Sequence, residues 1–244
     1  MDTLAASQEF VAFGTSHLIT LGVFVVGAVA LVVVGRRQTE EQAHRFSRAM
    51  ALVILAAVAI AMAYKLVDPD INEVMPLQLC DVAELTAAYA LWSRKQWAFA
   101  LVFFWGLVLS SQALITPDVG GPDFPAHGFM TFMGLHLLVV WTPIYLAWGR
   151  GMRPDWSSYR FAVKATLTWA AVTFTFNVLA GTNYGYLNRK PEAASLMDVL
   201  GPWPVYPIVE ILVVSGVWAL MTLASQRGRR EIEVTPAQPV AAAA

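Results

Sequence analysis

The chain has 244 residues, 57% hydrophobic and only 14% charged, against about 25% charged in an ordinary soluble domain. Its 16 Lys and Arg against 17 Asp and Glu give a net charge of −1, which argues against a nucleic-acid partner. A single cysteine, Cys80, cannot close an internal disulfide.

Long apolar runs recur along the chain, so the expected class is an all-α, polytopic membrane protein. The opening residues, MDTLAASQEF, lack the basic start of a cleaved signal, so the first apolar run is expected to stay as a helix. Spanning takes about 20 apolar residues. Seven segments qualify: 17–35, 49–67, 76–92, 97–115, 129–148, 161–180 and 205–224. The third is short and polar at its start. Residues 1–230 are expected to form one transmembrane domain, with 231–244 as a disordered tail.

Lys and Arg set the orientation. The loops after the first, third and fifth segments and the tail, with Lys164 just inside the sixth segment, carry 13 of them. The opposite side has only Arg189 and Lys190, and Lys65 lies inside the second segment. This places the N-terminus outside and the C-terminus in the cytoplasm, consistent with seven spans.

Placed on that topology, the polar residues of the segments collect in the outer half. His17 falls at the outer end of the first helix, and Cys80 and Asp81 about one turn into the third, with Glu84 a turn deeper. Gln112 is in the outer part of the fourth, His136 about two turns down the fifth, Asn177 near the end of the sixth, and Glu210 about one turn into the seventh. The expected result is a cavity open toward the outside. The long outer loop 181–204 reads as a lid. Within it Pro191 is suited to open a short helix and Gly201 to close it, with Leu196, Val199 and Leu200 as its apolar side.

An ionisable residue inside a span is a functional hypothesis by default. Cys80 is either a small packing residue or a nucleophile needing a base nearby, and His136 is the histidine at matching depth. Asp81 and Glu84 either answer Lys65 as ion pairs or orient the imidazole, and Glu210 suits both parts. His17 fits an interfacial cap. Arg189 and Lys190 are either a solvated pair or a contact for lipid phosphate. The pattern contains no metal-ligand spacing and no nucleotide loop, so no metal or cofactor is expected.

The strings TSHLITLG (15–22), PLQLCD (76–81), FFWGLVLSSQALITPD (103–118) and GTNYGYLNRKPEAASLMDVLGPWPVY (181–206) resemble the YwaF-like bacterial integral membrane proteins over nearly the whole chain. That family is distantly similar to an animal transmembrane acyltransferase that makes polyunsaturated ether phospholipids with a cysteine and a histidine. The resemblance implies a multi-pass protein of a bacterial plasma membrane with membrane lipids as partners. It implies acyl transfer or hydrolysis through Cys80 and His136, with Asp81 or Glu84 in support. It also draws attention to Asn183, Tyr184, Lys190, Asp198 and Trp203. Bacterial relatives often carry a histidine where this chain has Gln78. The alternative expectation is a transporter or lipid- or solute-binding protein without catalysis.

Overall fold

The computed structural model describes residues 9–191 and 196–234, without the side chains of residues 196 and 228–234. Within these residues the chain is helical, with one isolated bridge between Glu9 and Pro122 and no strand. The long helices are α1 (Thr15–Arg37), α2 (Glu40–Lys65), α3 (Leu79–Ser93), α4 (Gln96–Ile115), α5 (His127–Gly149), α6 (Trp156–Ala180) and α7 (Val205–Val234). All but α3 are long and apolar enough to cross a membrane, six in total. The expected all-α, polytopic class is therefore observed. The third segment differs from the others. At 15 residues α3 is about 22 Å long, against about 30 Å of hydrocarbon.

The helices extend past the apolar runs because capping residues, not hydropathy, set their ends. α2 starts at Glu40 because the Thr39 hydroxyl accepts from the Gln42 backbone N–H (3.3 Å) while Gln42 Oε1 accepts from the Thr39 N–H (2.9 Å), a reciprocal cap. α6 starts at Trp156, where Asp155 Oδ1 accepts the Ser158 N–H at 2.7 Å. α3 starts at Leu79, later than residue 76, with Asp81 Oδ2 accepting the Gln78 N–H at 3.2 Å. α7 runs to Val234, so residues 231–234 are helical where a disordered tail was expected. Residues 235–244 lie outside the described residues.

α4 is the centre of the bundle. Ala98 through Gly106 are all buried, and the main apolar core gathers around them. The helix widens into a π-helical stretch at Trp105–Ser110, and α5 does the same at Tyr145–Gly149. Such widenings occur mostly as local features of functional regions. Gly106 lets α5 approach closely, since a Cβ there would lie 3.1 Å from both Pro143 Cγ and the Val139 carbonyl.

α1 is held to α5 by small residues, the usual means of close helix approach in lipid. A Cβ on Gly35 would lie 2.7 Å from the Gly149 Cα, and one on Gly27 would lie 2.2 Å from the Trp141 ring. The Trp141 indole N–H donates to the Phe24 carbonyl at 3.0 Å. At the arginine-rich end, Glu40 pairs with both Arg94 (3.1 Å) and Arg150. Arg150 also donates to the carbonyls of Gly35 (2.8 Å) and Gln38 (3.2 Å). That end is closed and cross-linked.

Gly35→Val is expected to destabilise the protein by about 1–3 kcal/mol, the usual cost of overpacking. Gly22→Val, where nothing lies within 4 Å of the new Cβ, should be neutral. Thermal melts of the two detergent-solubilised variants would check the contrast.

Candidate functional site

Opposite the arginine-rich end, the helices part around a cavity of about 750 Å³. Its lining includes Lys65 at the end of α2, Cys80, Asp81 and Glu84 from α3, and Gln112 from α4. His136 from α5 and Glu210 from α7 complete the polar set. Six of the sequence candidates, brought to one level by helix depth, line this cavity. The floor is tied across by the Trp105 indole, which donates to the Thr166 hydroxyl at 2.8 Å and joins α4 to α6.

Cys80 is half-buried and free. With Gln78 as the N-cap of α3, it occupies the second helical position, among backbone N–H groups that have no intrahelical acceptor. The His136 ring is 5% exposed. Its Nδ1 lies 2.8 Å from the Phe132 carbonyl, and a carbonyl only accepts, so Nδ1 carries the proton. Nε2 is left with its lone pair. The imidazole also stacks on Phe132, ring centres 4.2 Å apart.

The expected carboxylate orienter of His136 is therefore replaced by a backbone carbonyl of its own helix. Asp81 is engaged elsewhere, pairing with Lys65 at 3.7 Å and capping α3 through Gln78. Glu84 makes no hydrogen bond or ion pair with a described residue; the described ion pairs use other groups.

The remaining candidates lie off the cavity wall. His17 is fully buried. It accepts the Phe13 N–H at Nδ1 (2.8 Å) and lies 2.7 Å from the Leu114 carbonyl through Nε2, so it ties the start of α1 to α4. Asn177 holds the 181–204 loop. Its amide nitrogen donates to the Tyr184 carbonyl (2.9 Å), and its oxygen accepts from the Tyr184 N–H (2.9 Å) and the Thr182 hydroxyl (2.8 Å). Asn183 Oδ1 accepts the N–H groups of Asn188 (3.2 Å) and Arg189 (3.1 Å). The buried Tyr184 hydroxyl donates to the Ile71 carbonyl at 2.6 Å. Lys190 lies over the Tyr206 ring at 5.7 Å, and the Trp203 indole donates to the Leu187 carbonyl at 3.2 Å. Arg189 is exposed. These groups build the loop; none of them lines the cavity.

The loop reaches the cavity with Gly185, Tyr186, Leu187, Pro191 and Met197, of which Tyr186 brings a polar side-chain group. Gly185 N–H donates to Gln78 Oε1 at 2.9 Å, and a Cβ on Gly185 would sit 2.5 Å from the Trp169 ring, so only glycine fits. Tyr186 follows with φ 52°, a backbone state that side chains rarely adopt. Its hydroxyl donates to Asp118 Oδ2 at 2.6 Å across the cavity mouth. Burial, and then the bond to Asp118, push the phenol well above its usual range, so it remains a donor at physiological pH. Sequence reasoning missed Gln78, Asp118, Trp169 and Tyr186 as cavity residues. The GTNYGY string, with glycines on either side of Asn183 and Tyr184, was the available signal. The expected short helix closed by Gly201 is a 3-10 turn over Leu196–Leu200, and Gly201 has φ 98°. Val199 is 82% exposed, so the expected apolar side is not packed inward there. The residues between Pro191 and Leu196 lie outside the described set.

The family model described as the TMEM164 family matches residues 12–222, from the start of α1 to near the end of the last apolar run. The chain belongs to the TMEM164 family. It is also similar to an uncharacterized protein of Treponema pallidum (strain Nichols), 26% identical over 244 residues, covering 95% of this chain and 98% of that one. No solved structure matches. As a TMEM164 family member with six apolar helices of spanning length, it is a multi-pass membrane protein in contact with lipid.

Asn177→Ala should strip partners from both backbone groups of Tyr184 and from the Thr182 hydroxyl. The expected loss is about 2–3 kcal/mol, with faster amide exchange confined to residues 182–189 and read by mass spectrometry.

Proposed function

We propose that the protein transfers or hydrolyses a lipid acyl group through a Cys80 thioester. The observation that carries this reading is that Cys80 and His136 line one cavity, with the Nε2 lone pair of His136 unused by the fold. His136 Nε2 takes the thiol proton as Sγ attacks the ester carbonyl. The tetrahedral centre collapses, the ester C–O bond breaks, and the departing alcohol takes the proton from His136. An acceptor hydroxyl or water then loses its proton to His136 and attacks the thioester carbonyl; the C–S bond breaks, and the Cys80 thiolate takes the proton back from His136. The N–H groups of the first turn of α3 and the Gln112 amide are suited to the oxyanion, whereas Asn177, Asn183 and Tyr184 hold the loop.

In the same proposal the chain has seven membrane elements, with α3 entering from the outer side. The N-terminus is outside, residues 1–230 form one domain, and the location is a bacterial plasma membrane. The YwaF-like strings belong to this reading too. A second reading, a lipid- or solute-binding protein or transporter without catalysis, draws on the acidic character of the cavity. Asp68, Glu73, Asp81, Glu84, Asp118 and Glu210 face it against the single Lys65. Arg189 and Lys190 lie off this wall, so a phosphate contact by them belongs to the loop surface.

Cys80→Ala and His136→Ala are each expected to lower acyl transfer between lipids in nanodiscs by about 10²-fold or more, with insertion and yield unchanged. Lipid mass spectrometry reads the products. Wild-type turnover in Cys80→Ala would sink the thioester mechanism and leave the binding reading.

A further inference from the structure

Six carboxylates line the cavity; Asp68 and Glu73 are exposed to water, and two of the other four have an answer in the protein. Asp81 has Lys65, and Asp118 has the Tyr186 hydroxyl. Glu84 and Glu210 do not. Glu84 is 7% exposed, lines the cavity from α3, and has no hydrogen bond or ion pair with any described residue. Glu210, half-buried, lines the same cavity from α7, also without a hydrogen bond or ion pair to a described residue. A carboxylate held away from water is disfavoured as an ion unless a positive charge meets it; Lys65, the one lysine on this wall, is already paired with Asp81, so Glu84 and Glu210 are left for a positive charge that the protein does not supply.

The rest of the wall narrows the kind of cation. Phe132, Trp169 and Tyr186 line the same space, and aromatic faces attract ammonium groups, best when desolvated. A metal ion instead needs several converging hard ligands, and among the described residues no three His, Cys, Asp or Glu side chains come close enough to share one. We propose that the cavity binds an organic ammonium group, with Glu84 and Glu210 as its counter-charge and Phe132, Trp169 and Tyr186 as its aromatic wall. The group comes either from a free amine or from the headgroup of a zwitterionic lipid, and the chemistry at the wall is the same. The inference uses no thiol chemistry and is separable from the Cys80 mechanism.

The test uses the full-length protein, wild type and Cys80→Ala, in nanodiscs of phosphatidylglycerol, a lipid without ammonium. Choline chloride is titrated against sodium chloride at constant ionic strength while thermal stability is read. A saturable stabilisation by choline and none by sodium is expected, equal in wild type and Cys80→Ala. Glu84→Gln and Glu210→Gln should each weaken the choline response by about tenfold or more. If nanodiscs of phosphatidylethanolamine suppress the response, the lipid headgroup is the source; a response that persists there assigns a free amine. Equal stabilisation by sodium, or undiminished choline binding in both glutamine variants, overturns the proposal. The choline–sodium contrast is read on wild type, so a variant that misfolds does not remove the test. A protein that responds to choline yet transfers no acyl group fails the thioester reading alone.

Discussion

At bilayer depth a polar group must find its partner in the protein, because no water reaches it. That requirement orders this structure. Thr86, Thr142, Thr166 and Thr222 each donate to the carbonyl one turn back in their own helix. The Trp141 and Trp169 indoles reach backbone carbonyls outside their own helices, and His17 is used at both nitrogens. Thr173 Oγ1 and Trp218 Nε1 depart from the rule, buried without a partner. The groups left over in number are Glu84, Glu210, the Gln112 amide and the His136 Nε2, and all four residues face one cavity. The bundle satisfies its polar groups locally almost everywhere and gathers its unmet capacity in one place.

The loop after α6 completes that place without supplying its chemistry. Asn177 fixes the turn at 182–184, Gly185 passes against Trp169, and Tyr186 is delivered to Asp118 at the mouth. The short α3 matters for the same reason. Because the chain stays irregular from Leu66 to Gln78, the first turn of α3 opens inside the protein, with Cys80 in it. A longer helix would have placed this residue mid-helix, where its backbone N–H has an acceptor.

Fold class was legible because bilayer thickness imposes a run length that composition cannot hide. Helix ends were less so: hydropathy marks only the part of a helix facing hydrocarbon, while Thr39 and Asp155 set the true starts of α2 and α6. Depth along each helix was enough to bring Cys80, Asp81, Glu84, Gln112, His136 and Glu210 to one level. It could not say which side of a helix each residue faces, so Asn177 looked equivalent to them at the sequence level and is in fact a fastening. The Phe132 carbonyl that orients His136 was invisible for another reason: a backbone acceptor leaves no trace in residue type. Tyr186 was missed because its place depends on a left-handed backbone step and on the glycine before it, both products of tertiary contact.

The Gly35–Gly149 contact has a mechanical consequence. Two backbones in contact, beside the Arg150–Glu40–Arg94 cross-link, leave no slack for sliding at that end of the bundle. It is the fulcrum. Any rearrangement that widens the opposite end must then be angular, like scissors opening from a tight rivet, with displacement growing along the helices toward the Tyr186–Asp118 contact.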